Sequence, residues 1–382
     1  MTDAPQYRTP GQFIQELLES RGWTQRVLAI VLEKDETQIG KILTGKRPLD
    51  AEMALALSEL FPGISASYLL QLQKNYELAQ ASIVSRDDPD RTSRAQLFGS
   101  LPISEMIQRG WLNVDDMRNF TNVKTEVLKF FKAESLDAIE KIPHAAKKTD
   151  PSNAPTLIQL AWLYRVKEIA SEMMTARYSP TAVQNAVPKL KELLVSPAAA
   201  RKAPRILAEC GIRYVICEAL PGAKIDGVCF WLDETRPVIG MSLRHDRIDN
   251  FWFVLRHELE HVIQLHGRDS KKDMLDVELE GERAGTSSSV ASEERIANQA
   301  AANFCVPQKS LESFIVRKSP FFNERDIVGF ASTMQVHPGL VAGQLRNRLE
   351  LWKRFHNHLV KIRSAVAPSA TVDGWGDFVP VG

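Results

Sequence analysis

No stretch of this 382-residue chain approaches the roughly 18 apolar residues that a membrane-spanning helix needs. The N-terminus, Met-Thr-Asp-Ala-Pro-Gln, lacks the basic and apolar regions of a secretory signal, so a cytoplasmic location without a membrane partner is expected. Cysteine is scarce. Cys210, Cys217, Cys229 and Cys305 show no C-x-x-C spacing and sit among apolar residues, which reads them as reduced core thiols and excludes a disulfide framework or a cysteine-built metal site. An excess of one charge is missing too: the formal net charge of +1 argues neither for nor against a nucleic-acid partner. At 44% hydrophobic and 25% charged residues the composition is that of an ordinary globular protein, long enough for two or three domains with cores.

What the chain does contain is H-E-x-x-H, spelled by His257-Glu258-Leu259-Glu260-His261. Residues four apart share a helix face, so both histidines can offer imidazoles to one metal ion. Glu258, about 100° round the helix, can reach a water in the metal's open position. Phe251, Val254, Leu255, Leu259 and Val262 recur at helical spacing as a buried stripe, and Asp249 or Asn250 is the expected N-cap. Two histidines and a glutamate on a buried helix need a reason; the bland alternative is a half-exposed helix with incidental polar residues. A third ligand is needed, and a later helix, Ser292-Glu293-Glu294-Arg295-Ile296-Ala297-Asn298, followed by Pro307, supplies candidates. Glu294 and Asn298 share a face there, so Glu294 can bind the metal while Asn298 hydrogen-bonds a ligand; Glu293, one residue out of phase, is the alternative. The expected cofactor is Zn2+.

His257-Glu-Leu-Glu-His261, then a long acidic and serine-rich loop, then Glu294-x-x-Ala-Asn298 in a helix ending at Pro307, resembles the ImmA/IrrE family of metallopeptidase domains. Gly211-Ile-Arg-Tyr-Val-Ile, Asp226-Gly-Val-Cys-Phe-Trp, Pro237-Val-Ile-Gly-Met-Ser-Leu and Arg247-Ile-Asp-Asn-Phe-Trp fit the same family, so the resemblance covers roughly residues 199 to 310. Ala300-Ala301 stands where the family usually has Phe-Ala. In this reading His257, His261 and Glu294 hold zinc and leave a fourth position for water, and Glu258 is the catalytic proton acceptor. An electrophile for the oxyanion is also wanted. His245, His266 and Arg244 are candidates that the sequence does not rank.

Five helices are expected before residue 85. Thr9-Pro10 opens the first and Gly22 closes it; Thr24 caps the second and Asp35 the third, Glu36 to Thr44, with Ile39, Ile42 and Leu43 turned inward; Asp50 caps the fourth, and Ser65 to Ala81 forms the fifth. Short second and third helices joined by a tight turn read as a helix-turn-helix. Thr24-Gln25 and Ile39-Gly-Lys-Ile-Leu-Thr-Gly-Lys-Arg-Pro resemble the XRE class of DNA-binding domains, and Pro10-Gly-Gln-Phe-Ile-Gln-Glu-Leu-Leu with Met53-Ala-Leu-Ala-Leu is similar to HigA-type antitoxins. The resemblance implies a lambda-repressor-like domain whose third helix enters the major groove of double-stranded DNA. Thr37, Gln38 and Lys41 would face bases, and Gln25, Lys46 and Arg47 would hold phosphates. It further implies a homodimer with recognition helices about 34 Å apart. Acidic residues slightly outnumber basic ones across these helices, and Glu33 and Glu36 sit where phosphates would approach, so a small all-helical protein-interaction domain is the alternative.

Ser85 to Arg94 is polar, charged and proline-bearing, a linker by composition. Helices are expected at 104–110, 113–119, 123–131, 155–174 and 180–194, a block that relays between the ends or offers a partner surface; His144 reads as a solvated loop residue. Strands at 212–218, 227–232 and 238–243 suggest a small, mainly antiparallel sheet beside the metal helix, the last strand being either a substrate-pairing edge or ordinary sheet. Further helices are expected at 309–316 and 321–333, then a long basic helix to about Ser364 and a disordered tail whose Trp375 and Phe378 could anchor on a partner.

The fold class expected is α+β and mostly helical. Its divisions are 1–84 helix-turn-helix, 85–198 linker and helical middle, 199–312 zincin-like domain with a small sheet, 313–364 C-terminal helices, and 365–382 tail. The functional expectation is a DNA-binding regulator, an antitoxin-like repressor of its own operon, whose peptidase-like domain senses a signal or holds a partner such as a cognate toxin. The alternative is a site-specific zinc endopeptidase that cleaves a regulator or itself.

Overall fold

Four side-chain caps punctuate the N-terminal helices. Thr9 accepts from the Gln12 amide and Gln12 answers at the Thr9 amide, a capping box that opens α1 (Pro10–Ser20). Thr24 caps α2 (Gln25–Val31), Asp35 caps α3 (Glu36–Leu43) and Asp50 caps α4 (Ala51–Leu60). α5 spans Ala66–Val84. Glu33, at φ 52°, makes the left-handed turn between α2 and α3. The apolar face of each helix closes on one core of Phe13, Ile14, Leu28, Ile39, Leu43, Met53, Leu57 and Leu69. α1 lies so close to α3 that a Cβ at Gly11 would stand 2.2 Å from the Leu43 carbonyl oxygen, so no larger residue fits.

The computed structural model describes residues 9–84, 88, 90–139, 156–268, 292–351 and 353–378. The chain divides into two units, Met1–Arg91 and Thr92–Gly382. The division falls in the first turn of α6 (Asp90–Ser100), so helix replaces the second half of the expected linker. His144 and the acidic, serine-rich loop lie outside the described residues.

In the second unit α7 (Ile103–Gln108), α8 (Phe120–Phe131), α9 (Leu157–Glu172), α10 (Pro180–Lys191) and α11 (Ala203–Glu209) precede β1 (Arg213–Cys217), β2 (Gly227–Trp231) and β3 (Pro237–Met241). Then come α12 (Ile248–Ile263), α13 (Ser292–Cys305), α14 (Gln308–Lys318), α15 (Glu324–Thr333), α16 (Pro338–Arg348), the single turn α17 (Arg363–Val366), β4 (Thr371–Gly374) and β5 (Asp377–Phe378). The sheet order is β2-β3-β1-β4-β5. β1 runs parallel to both β3 and β4, while β2–β3 and β4–β5 are antiparallel, so the sheet is mixed and not mainly antiparallel. Long returns through β2 and through the C-terminal helices make the parallel pairings reachable. β3 lies between β2 and β1, so of its two expected roles it takes ordinary sheet, and the strand at the sheet's edge near the H-E-x-x-H helix is β2.

Side chains alternate across β1. Tyr214 and Ile216 join α12 residues such as Phe251, Leu255 and Leu259 in a core on one face, whereas Val215 and Cys217 meet Trp162, Leu163 and Val166 of α9 on the other. Described residues of the helical middle from Thr92 on therefore share one unit with the sheet and the C-terminal helices and form a layer on the sheet; a central strand buried on both faces needs cover from both sides.

Three local readings change. Residues 113–119 form turns, with the Asn113 amide donating to Glu126. α12 begins at Ile248 without a side-chain cap, because Asp249 is held by the Arg247 guanidinium at 2.9 and 3.1 Å. α16 stops at Arg348 instead of running to 364: Phe355 is buried in a left-handed conformation, and the Asp246 carboxylate accepts from the Ile362 and Arg363 amides.

The tail is ordered through β4 and β5. Asp373, 3% exposed, pairs with the Arg165 guanidinium of α9 and accepts from Trp111 Nε1 at 3.1 Å. Aspartate disfavours strands, and these distant partners hold Asp373 in β4 beside the ladder to β1. Replacing Asp373 by Ala removes the buried partner of Arg165 and leaves it the more exposed Glu168 at 2.8 Å, an expected cost of about 3 kcal/mol in urea unfolding; Asp90→Ala, at an exposed position, serves as the near-neutral control.

Candidate metal centre and DNA-recognition helix

α12 and α13 pack side by side, and at their crossing three side chains converge. His257 Nε2 lies 3.2 Å from Glu294 Oε2, His261 Nε2 lies 3.2 Å from Glu294 Oε1, and the two Nε2 atoms are 3.1 Å apart. Helical periodicity puts both imidazoles on one face, and the alanines of α13 allow the approach: Ala297 and Ala301 are fully buried. Among the described residues this triad forms a cluster able to hold a metal ion. His257 Nδ1 stands 3.0 Å from Asn298 Oδ1, one turn along α13 from Glu294. An amide oxygen only accepts, so His257 donates from Nδ1, and Nε2 is the nitrogen that faces Glu294. Glu293, the alternative ligand, faces His266 at 4.0 Å and is largely exposed, away from the triad.

Glu258 is buried beside the triad. Burial pushes its carboxyl up to about 8, His261 opposing and Glu294 and Asp226 adding to the rise. A Cβ at Gly227, the first residue of β2, would lie 2.8 Å from Glu258 Oε1, so the absence of a side chain there leaves the carboxylate its place. Asp226 takes Arg244 in a two-pronged pair at 2.8 and 3.1 Å, with His245 Nε2 3.8 Å away. Arg244 and His245 are thus gathered by the residue that precedes Gly227, while His266 sits against His261 with its Nδ1 2.8 Å from His261 Nδ1. Burial lowers the His266 pKa, with Glu293 opposing.

Sequence reasoning had Asp226, Gly227 and Trp231 only in the family resemblance and the second expected strand, with no part in the site. Trp231 donates from Nε1 to the His266 carbonyl at 3.0 Å and packs edge-on against Tyr178 at 5.1 Å. The packing of β2 against α12 brings Gly227 to Glu258. Cys210, Cys217 and Cys305 are buried and Cys229 is half-buried; all four are free thiols. Burial raises Cys229 well above the usual range, with Glu258 adding to the rise.

In the first unit, α3 buries Ile39, Ile42 and Leu43 and exposes Thr37, Gln38 and Lys41 on the opposite side, with Lys46 and Arg47 exposed just beyond. Arg47 Nη2 reaches Asp50 at 3.5 Å. Gln25 is half-buried: its Nε2 donates to the Glu36 carbonyl at 2.9 Å, and a Cβ at Gly40 would stand 2.8 Å from that nitrogen. Gln25 therefore braces α2 against α3.

A divalent cation bound by the folded triad stabilises the native state by mass action. At about 100 times its dissociation constant the gain is ~2.7 kcal/mol, read as a rise in melting temperature that a chelator reverses. Glu294→Ala should abolish the cation-dependent part of that rise; an equal rise in the variant would place the cation elsewhere.

A comparison with curated proteins returns no match. Among the described residues no helix is long and apolar enough to cross a membrane. Residues 14–69, which include α2, the Glu33 turn and α3, match the helix-turn-helix family model, and this part of the chain is a helix-turn-helix domain of the kind carried by DNA-binding transcriptional regulators.

Proposed function

We propose that the chain is an XRE-type, antitoxin-like transcriptional regulator that binds double-stranded DNA at its own promoter as a homodimer and carries an ImmA/IrrE-like zinc module that senses a signal or holds a partner such as a cognate toxin. The observation that carries the DNA reading is α3, capped by Asp35, braced by Gln25 and presenting Thr37, Gln38 and Lys41 on its open face within the matched residues. Bases are read by such side chains, and Lys46, Arg47 and Gln25 lie at the rim where phosphates run. Gln38→Ala combined with Lys41→Ala should weaken binding to the promoter of the chain's own operon by about 2–4 kcal/mol, seen as loss of a footprint at concentrations where the parent protects it. An unchanged footprint contradicts this placement of the recognition helix.

Zinc as the metal of His257, His261 and Glu294 is supported by the donor set and by spacing. Zinc bonds of about 2.0–2.1 Å in a tetrahedron separate donor atoms by roughly 3.3 Å, and the three separations here are 3.1–3.2 Å. Bound zinc supplies Lewis acidity that makes water a usable nucleophile near neutral pH. Under an endopeptidase reading Glu258, beside the ligands and shielded from solvent, would accept a proton from the attacking water and return it to the leaving amine. Asn298 holds His257 in the tautomer that leaves Nε2 for the metal.

The second reading, a site-specific zinc endopeptidase acting on a regulator or on itself, is favoured by the seat of Glu258 over Gly227 at the start of edge strand β2. Glu258→Gln separates the two. Under the endopeptidase reading it abolishes cleavage of a partner, or of the chain, while promoter binding stays unchanged. Under the regulator reading the parent itself cleaves nothing and the substitution alters only metal-linked control of DNA binding.

A further inference from the structure

The Nδ1 atoms of His261 and His266 face each other at 2.8 Å, a hydrogen-bond distance that admits one proton between them. The backbone makes this meeting obligatory. At the end of α12, the His266 amide donates to the His261 carbonyl at 2.9 Å and the Leu265 amide to the Val262 carbonyl at 3.2 Å. This is a Schellman closure, in which the second residue past the cap comes back over the third residue before it, a place where two apolar side chains usually touch. Here that pair is two imidazoles. The closure needs a left-handed residue between them, and Leu265 occupies it at φ 61° where glycine is the unstrained choice. Trp231 fixes the far side by donating to the His266 carbonyl at 3.0 Å.

We infer that His266 is a positioning residue for the metal centre, holding His261 in the tautomer and orientation that binding requires. The inference rests on the reading of His257, His261 and Glu294 as metal ligands. A metal on His261 Nε2 takes that nitrogen's lone pair, so the His261 proton must sit on Nδ1. His266 Nδ1 is then the acceptor, and the His266 proton is on Nε2, which points toward the Glu293 carboxylate 4.0 Å away. The result is an ordered pair, His261 donating from Nδ1 to His266, the counterpart of Asn298 on His257.

Two measurements on the full-length chain test this. Zinc alone is titrated against a competing chelator with the parent, His266→Ala and His266→Asn. Loss of a partner behind a metal-binding histidine weakens affinity by about 10–100-fold, and that loss is expected in His266→Ala, whereas asparagine, whose side-chain oxygen can take the place of Nδ1, should restore affinity to within a few-fold of the parent. In the zinc-loaded parent labelled with 15N-histidine, His266 should carry its proton on Nε2 and none on Nδ1, with a slowly exchanging Nδ1 proton on His261. An affinity within about three-fold of the parent for His266→Ala overturns the inference while leaving the metal site intact. So does a His266 proton found on Nδ1, a result that needs no variant to fold. Failure of the parent to bind zinc overturns the metal reading and this inference together.

Discussion

Burying carboxylates is costly unless each finds a positive partner, and the crossing of α12 and α13 buries three. Glu258, Glu260 and Glu294 are 7%, 6% and 5% exposed. Glu260 is matched by Arg256 at 2.6 Å. Glu294 has the imidazoles of His257 and His261, which compensate its charge fully only with a proton or a metal cation among them. A cation shared by the three satisfies the carboxylate and both lone pairs at once. The architecture of the second unit serves this one point: small residues let α13 approach, the sheet packs beneath α12, and β2 brings Gly227 under Glu258.

The second unit also depends on its last strand. β4 adds to β1 on the side away from β3, and Asp373 locks it to Arg165 and Trp111 across the sheet. The region read as a relay or a partner surface also covers one face of the sheet, since Trp162 of α9 packs under the strands and donates from Nε1 to the Cys217 carbonyl at 2.8 Å. In the first unit, α3 is held by an equivalent economy of contacts, with Gly11 and Gly40 giving way to neighbouring backbone and to Gln25.

What could be read from sequence was what local periodicity encodes. His257, Glu258 and His261 share one helix and Glu294 and Asn298 another, so spacing alone set their faces; the caps Thr9, Thr24, Asp35 and Asp50 likewise announce the helices they open. What escaped was fixed by long-range partners. An aspartate in a four-residue segment says nothing of a strand until Arg165, 208 positions earlier, is beside it. Parallel pairing of β1 was hidden because strand runs carry no direction. His266 was noted only as one of three unranked oxyanion candidates, since a leucine at the left-handed position conceals the turn that folds it back. Gln25 reads as a phosphate contact by resemblance, and its brace to Glu36 depends on the turn at Glu33.

The account stands or falls on a cation held where α12 meets α13. An anomalous difference map from a crystal of the full-length chain, with data on both sides of the zinc absorption edge, addresses it most directly. One edge-dependent peak about 2.0–2.2 Å from the Nε2 atoms of His257 and His261 and from the Glu294 carboxylate is the predicted result. A map without that peak from zinc-supplemented crystals, or a peak on other residues, would contradict the account.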